Sequence, residues 1–163
     1  MKNFKELLKD IKVFIFDVDG VLSANVMNLN SDTGLPVRTG NVKDGYALHL
    51  ASKLGYKIAI ITGANTEYLT SRFAALGIHD DIYLGCHNKI VEFKALMEKY
   101  NLNPENVLYM GDDIPDLKVM KMVGVPCCPA DAAPEIKEIS KYISHCKGGE
   151  GCARDVIEQV LKA

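Results

Sequence analysis

Residues 13 to 20 read VFIFDVDG: four apolar residues run straight into two carboxylates spaced one apart, and then a glycine. A continuous β-branched and aromatic run of this length fits a strand covered on both faces, as in a parallel sheet sandwiched between helices. The pattern recurs in IAIIT (58–62), IYLG (82–85), VLYMG (107–111) and VPCCP (125–129), with YIS (142–144) as a shorter candidate. Between these runs lie stripes with helical spacing. Tyr46, Ala47, Leu50, Ala51 and Leu54 form one, Leu69, Phe73 and Leu76 a second, and Ala153, Val156, Ile157, Val160 and Leu161 a third. Strands alternating with helices imply right-handed βαβ units, hence an α/β fold: a Rossmann-like three-layer sandwich around a central parallel sheet. One stretch departs from this. VMNLNSDTGLPVRTGN (26–41) has turn residues at its middle and reads as a small β-hairpin after the first strand. The other connections are too short for a large cap domain.

The length of 163 residues fits a single domain over 1–163, ending in a Gly-rich segment and helix over about 147–163. A formal charge of −2 from interspersed residues argues against a nucleic-acid partner. Five cysteines (Cys86, Cys127, Cys128, Cys146, Cys152) form neither a CxxC pattern nor a disulfide framework, so reduced thiols in a cytoplasm are expected. The N-terminus MKNFKELLKDIK is amphipathic and charged, and no stretch approaches the roughly 18 apolar residues needed to span a membrane.

Ligands of open parallel sheets bind beyond the carboxyl ends of the strands. The reactive side chains fall there: Asp17 and Asp19 after the first strand, Thr62 and Gly63 after the second, Gly111, Asp112 and Asp113 after VLYMG with Asp116 one turn on, and Lys89 four residues after IYLG. Carboxylates from several strand ends would converge within a few ångströms and repel one another, and a hard divalent cation relieves that repulsion, Mg²⁺ favouring carboxylate, water and phosphate oxygens. The glycine after Asp19 lets the chain turn and lets backbone approach a ligand. Each element taken singly has an ordinary reading. DxD is common in loops, Thr62 could cap a helix starting near Asn65, Lys89 could be a solvated first-turn lysine, and GDDIPD could be a turn with a cap. A calcium loop fails, because its fifth and twelfth positions hold Val21 and Asn28. The ensemble raises the functional reading, since separate strand ends supply groups that one reaction needs.

In chain order, DVDG, IITG, Lys89 and GDDIPD resemble the four motifs of the haloacid dehalogenase superfamily. The resemblance implies that Asp17 is the nucleophile that becomes an aspartyl phosphate and Asp19 the general acid/base. It implies that Thr62 holds the phosphoryl group and Lys89 orients nucleophile and phosphate. Asp17, Asp19 and Asp112 would hold Mg²⁺, with Asp113 and Asp116 as supporting acids. The second aspartate of DxD points to phosphate esters, because the metal-free dehalogenases of the superfamily lack it. The hairpin, GNVKDGYAL (40–48) and KGGEGCARD (147–155) further resemble the cap-less phosphatases of 3-deoxy-D-manno-octulosonate 8-phosphate, which serve lipopolysaccharide sugar synthesis. By that resemblance the substrate is a phosphorylated sugar acid. Asp19, Asn41, Val42, Lys43, Asp44, Gly45, Thr62, Gly63, Arg72 and Lys89 would line its pocket, and a homotetramer would form in which hairpins assemble and the Gly-rich segment or hairpin reaches a neighbouring site. Arg72 suits a sugar-acid carboxylate through its planar fork of donors, its plainer reading being an exposed helix arginine.

Many relatives carry arginine where this chain has Ala64, and some where it has His49. A branch acting on 2-keto-3-deoxynononate 9-phosphate typically has glutamate after Thr-Gly, so Ala64 favours the eight-carbon acid. His49, His79, His87 and His145 lack partner spacing and read as surface residues, and the cysteines receive no chemistry. A receiver-type phospho-switch also gathers acids, a Thr, a Lys and Mg²⁺. Its acceptor aspartate, however, comes from a middle strand, and it has no DxDG.

Overall fold

A computed structural model describes residues 1–163. Helix α1 (Phe4–Lys9) opens with a reciprocal cap, Asn3 accepting from the Glu6 backbone and Glu6 from the Asn3 backbone. There follow β1 (Val13–Phe16), a hairpin of β2 (Asn28–Leu29) and β3 (Pro36–Val37), α2 (Val42–Lys53), β4 (Lys57–Ile61), α3 (Tyr68–Ala75), β5 (Ile82–Tyr83) and α4 (Lys89–Lys99). The second half holds β6 (Val107–Met110), α5 (Leu117–Met120), β7 (Val125–Cys128), α6 (Pro134–Ile139), β8 (Tyr142–Ile143) and α7 (Cys152–Leu161). Six strands form one parallel sheet in the order β5-β4-β1-β6-β7-β8, and β2 and β3 pair antiparallel apart from it.

The unbroken apolar runs are explained by burial on two sides. Phe14, Phe16, Ile58, Ile60, Leu108 and Met110 enter one core with residues of α2, α3 and α7, while Val13, Ile15, Ala59, Ile61, Val107 and Tyr109 enter the other with residues of α4, α5 and α6. Strand β1 is central, with Phe16 in register with both Ile60 and Met110, so the residues that follow these three strands emerge side by side at one edge.

Two expectations shift. Helix α2 buries only Ala47 and Ala51 of the expected stripe of Tyr46, Ala47, Leu50, Ala51 and Leu54, with Leu50 half-buried. Its inward face is Asp44, Ala47, Leu48 and Ala51, spaced three, four and seven apart, while Tyr46 and Leu54 are exposed. The small Ala47 and Ala51 of the expected stripe do face inward, where they let α7 pack closely against α2, and Asp44 and Leu48 complete that face in place of the larger side chains. His49 is also no surface histidine: it is half-buried, with Nδ1 2.9 Å from the Leu76 carbonyl at the end of α3. The hairpin is as small as expected and leaves Val26, Leu29, Leu35 and Val37 exposed. No helix is long and apolar enough to cross a membrane.

Candidate active site

The first residue after β1 is Asp17, a buried carboxylate whose Oδ1 accepts the Val18 backbone N–H at 2.7 Å. Its Oδ2 lies 3.1 Å from Nζ of Lys89. Lys89, the first residue of α4, is only 4% exposed, so the solvated-lysine reading fails. Its Nζ also donates to Asp116 Oδ1 at 2.7 Å. Asp116 is saturated further by the Tyr109 hydroxyl at 2.6 Å and by the Asp112 backbone N–H at 3.1 Å on Oδ2. Burial alone would lower the proton affinity of Lys89, but Asp17 and Asp116 more than offset it, and the ammonium is held charged.

Carboxyl oxygens of Asp17, Asp112 and Asp116 all lie within 4.8 Å of one another. Burial, and then neighbouring negative charge, push Asp17 up to about 7 and Asp112 up to about 8. One lysine does not balance three acids in a shielded site, and a divalent cation with oxygen ligands would. The donor set therefore fits a hard metal ion. Asp116, expected only as a supporting acid, belongs to this cluster, whereas exposed Asp113 turns its carboxylate onto the Ile114 N–H at 2.8 Å.

Gly20 explains how the acids meet. Its φ is +85°, and a Cβ there would lie 1.9 Å from Asp112 Oδ2, so only glycine lets the Asp112 carboxylate rest against the loop after β1. On the other side of that loop, a Cβ on Gly148 would lie 1.9 Å from the Gly20 carbonyl oxygen, and the Gly149 N–H donates to the Val21 carbonyl at 2.9 Å. The Gly-rich segment thus packs against the nucleophile loop of its own chain, because only glycines permit that backbone-to-backbone approach.

Asp19 stands apart from the acid cluster. Arg38, just past β3, grips it with two parallel bonds, Nε to Oδ1 at 2.7 Å and Nη2 to Oδ2 at 2.9 Å, and the Ser23 hydroxyl donates to Oδ1 at 3.1 Å. The Asp19 side chain is therefore not placed with those of Asp17 and Asp112. Thr62 is buried at the end of β4, and its Oγ1 accepts the Ala64 N–H at 3.1 Å, so it caps a local turn and not α3, which begins later.

The reactive groups share a cavity of about 420 Å³ whose walls include Asp17, Asp19, Thr62, Gly63, Lys89 and Asp112. A second cavity of about 250 Å³ is walled by Arg38, Asn41, Asp44, Gly45, Tyr68 and Arg72. The Asp19–Arg38 pair joins the two. The expected sugar-side residues separate here. Asn41 caps α2, accepting from the Lys43 and Asp44 N–H groups at 2.9 Å, and ties Nδ2 to the Gly149 carbonyl at 3.2 Å. Asp44 aims its carboxylate at the start of α7, accepting the Arg154 N–H at 2.9 Å, and burial raises its proton affinity. Val42 and Lys43 lie on the outer face of α2, exposed, because positions 44, 45, 47 and 48 face inward. A Cβ on Gly45 would come within 2.8 Å of Arg72 Nη2, so the glycine lets that guanidinium lie across α2.

The cysteines stay out of the chemistry: burial pushes the Cys86 thiol up to about 11 and raises Cys127, Cys128, Cys146 and Cys152 as well. Two contributors have no sequence signature, Arg38 in a hairpin of ordinary turn composition and Tyr109 inside an apolar strand.

A family model for haloacid dehalogenase-like hydrolases matches residues 67–154. A 3-deoxy-D-manno-octulosonate 8-phosphate phosphatase of Salmonella typhi is 39% identical over 95% of this chain and 81% of its own. Among solved structures, the phosphatase of that name from Yersinia pestis superposes with a TM-score of 0.92 at 34% identity, covering 97% of this chain and 84% of the other. The Moraxella catarrhalis phosphatase, crystallised with magnesium, phosphate and the free sugar acid KDO, gives a TM-score of 0.91 at 33% identity over 97% of this chain and 90% of its own. The chain belongs to the haloacid dehalogenase-like hydrolases, in their cap-less octulosonate 8-phosphate phosphatase family. It is accordingly an enzyme, a phosphoric monoester hydrolase.

Proposed function

We propose that the enzyme hydrolyses 3-deoxy-D-manno-octulosonate 8-phosphate through an aspartyl phosphate on Asp17, with Mg²⁺ held at Asp17 and Asp112 and with Asp116, its oxygens taken up by Lys89, Tyr109 and the Asp112 N–H, as a supporting acid beside them. The observation that carries this is the buried Asp17 carboxylate poised between the Lys89 ammonium and the acid cluster at the floor of the larger cavity. Bound Mg²⁺ would supply charge to the phosphate oxygens. Asp17 attacks phosphorus in line and the ester oxygen leaves, so a slow hydrolysis becomes two easier steps. Lys89 and the Thr62 hydroxyl offset the equatorial oxygen charge. Asp19 protonates the leaving alcohol and then takes the proton of the attacking water. Arg72, across the adjoining cavity, suits the sugar-acid end of the substrate.

Ala64 is buried and offers no acid beside Gly63, which favours the eight-carbon substrate over the nine-carbon 2-keto-3-deoxynononate ester. The exposed apolar residues of the hairpin, Leu29, Leu35 and Val37, support assembly of hairpins into a homotetramer. The deciding experiment is phosphate release from a panel of phosphorylated eight- and nine-carbon acids and neutral sugars. The octulosonate ester is expected to be preferred, with turnover requiring Mg²⁺ and falling about 10⁴-fold or more in Asp17→Asn. Equal turnover of generic sugar phosphates would refute the substrate assignment, and an active Asp17→Asn the mechanism.

A further inference from the structure

The general acid/base is not free. Asp19 has both carboxyl oxygens occupied by Arg38, and Oδ1 carries the Ser23 hydroxyl as well. Asp19 already walls the phosphate cavity, yet to hand a proton to a leaving alcohol it has to take that proton on an oxygen that the guanidinium now holds in a planar two-bond grip. Arg38 itself is only 11% exposed along its side chain, against 38% for Asp19, so it is the more enclosed partner. Its remaining nitrogen, Nη1, has only the Tyr68 hydroxyl, at 3.4 Å. That nitrogen has room for a better acceptor. Arg38 is also a wall of the second cavity, so the same guanidinium faces the acid of one cavity and the contents of the other.

Building on the sugar-acid reading above, we infer that Arg38 is a specificity latch, a guanidinium that restrains Asp19 in the free enzyme and transfers to the carboxylate of the substrate when that group enters the second cavity. A carboxylate satisfies the planar donor fork as Asp19 does, so the exchange replaces one two-bond contact by another of the same kind. A phosphorylated sugar with no carboxylate offers no such replacement, and its Asp19 stays restrained. Selectivity for the acid end of the substrate is thereby read at the catalytic acid, with no cap domain. The latch needs a substrate whose phosphate meets Asp17 while its carboxylate meets Arg38.

The test compares kcat/KM, with Mg²⁺ present, for octulosonate 8-phosphate, 6-phosphogluconate and a neutral pentose 5-phosphate. It uses the native enzyme, Arg38→Met, Arg38→Lys and Arg72→Met. The native enzyme is expected to prefer the acid over the neutral sugar by about a hundredfold or more. In Arg38→Met that ratio should fall close to one from both sides, the neutral sugar gaining because Asp19 is no longer held and the acid losing its carboxylate contact. Arg38→Lys should keep part of the preference, because it keeps the charge without the fork. Equal loss on acid and neutral substrates would leave Arg38 a mere support for Asp19 and overturn the latch. Survival of the preference in Arg38→Met, or its loss only in Arg72→Met, would overturn it too. A crystal of the native enzyme with Mg²⁺ and free octulosonate gives a readout independent of turnover and of the stability of the variants. The sugar carboxylate should sit within hydrogen-bond distance of the Arg38 guanidinium with the two-bond grip on Asp19 released, and an intact grip refutes the inference. An enzyme that ignores the octulosonate ester but prefers 6-phosphogluconate through Arg38 would fail the substrate reading and retain the latch.

Discussion

Gly20 shows how much a single position can decide. A methyl group there would meet Asp112 at 1.9 Å, and the backbone conformation disfavours any L side chain. Gly20→Ala is expected to destabilise the fold by about 1–2 kcal/mol for the left-handed backbone alone, and to abolish the thermal stabilisation given by Mg²⁺, because Asp112 must withdraw from the acid cluster. Melting curves with and without Mg²⁺ check both effects. At this scale the sequence is readable wherever a reactive residue directly follows an apolar strand, since topology sends all such positions to one edge. Asp17, Thr62 and Asp112 were visible for that reason. Arg38 was not, because its meeting with Asp19, nineteen residues away, depends on how the hairpin folds back and not on spacing or period. The hydroxyl that Tyr109 gives to Asp116 was hidden by the same strand pattern that made β6 easy to find.

Among the elements, α7 depends on α2 for more than apolar packing. Gly151 precedes α7 in a left-handed conformation and has no side chain with which to cap it. Asp44, reaching from α2, accepts the Arg154 N–H instead. The resemblance places Asp44 in the sugar pocket, and Asp44 does wall the second cavity, while its carboxylate serves a helix start from 110 residues away in sequence. Replacing Asp44 by alanine is expected to lower stability by about 1–2 kcal/mol, as loss of a helix cap does. Asn in its place should recover most of that, since its amide oxygen still accepts the N–H. Urea denaturation of the two variants measures the difference, and equal losses would show that the charge and not the acceptor matters. The phase of α2 was misread in the sequence for a related reason: its buried face uses Ala and an acid, while Tyr46 and Leu54 advertise a core they do not join.

For the molecule as a whole, the raised Asp17 and Asp112 link stability to pH and metal. With proton affinities above the ordinary value near about 4, these acids bind protons more tightly folded than unfolded. The metal-free protein is therefore expected to be most stable below pH ~4 with respect to these groups and to lose that contribution as pH rises through 7 to 8. Mg²⁺ competes with those protons, so its stabilisation should grow over the same interval. At an ion concentration a hundred times Kd the gain is about 2.7 kcal/mol, or roughly 5–10 °C in Tm for a chain of this size. Scanning calorimetry at pH 5 and pH 8 should find the larger Mg²⁺ effect at pH 8, and the reverse order would contradict the assignment of these acids to the metal. The parallel sheet and the common edge were legible because six runs of similar character alternate with helices and right-handed connections send their ends the same way. The two-cavity plan was not, because it arises from side chains crossing between elements.

The seat of Gly148 on the Gly20 carbonyl has a consequence for how the enzyme comes into being. Every reactive side chain has been synthesised by Asp116, yet the backbone that braces the nucleophile loop from behind arrives some thirty residues later. A nascent chain still threaded in the ribosome through residues 148 and 149 would carry the whole catalytic alphabet and remain mute, so activity should appear only once that stretch has emerged.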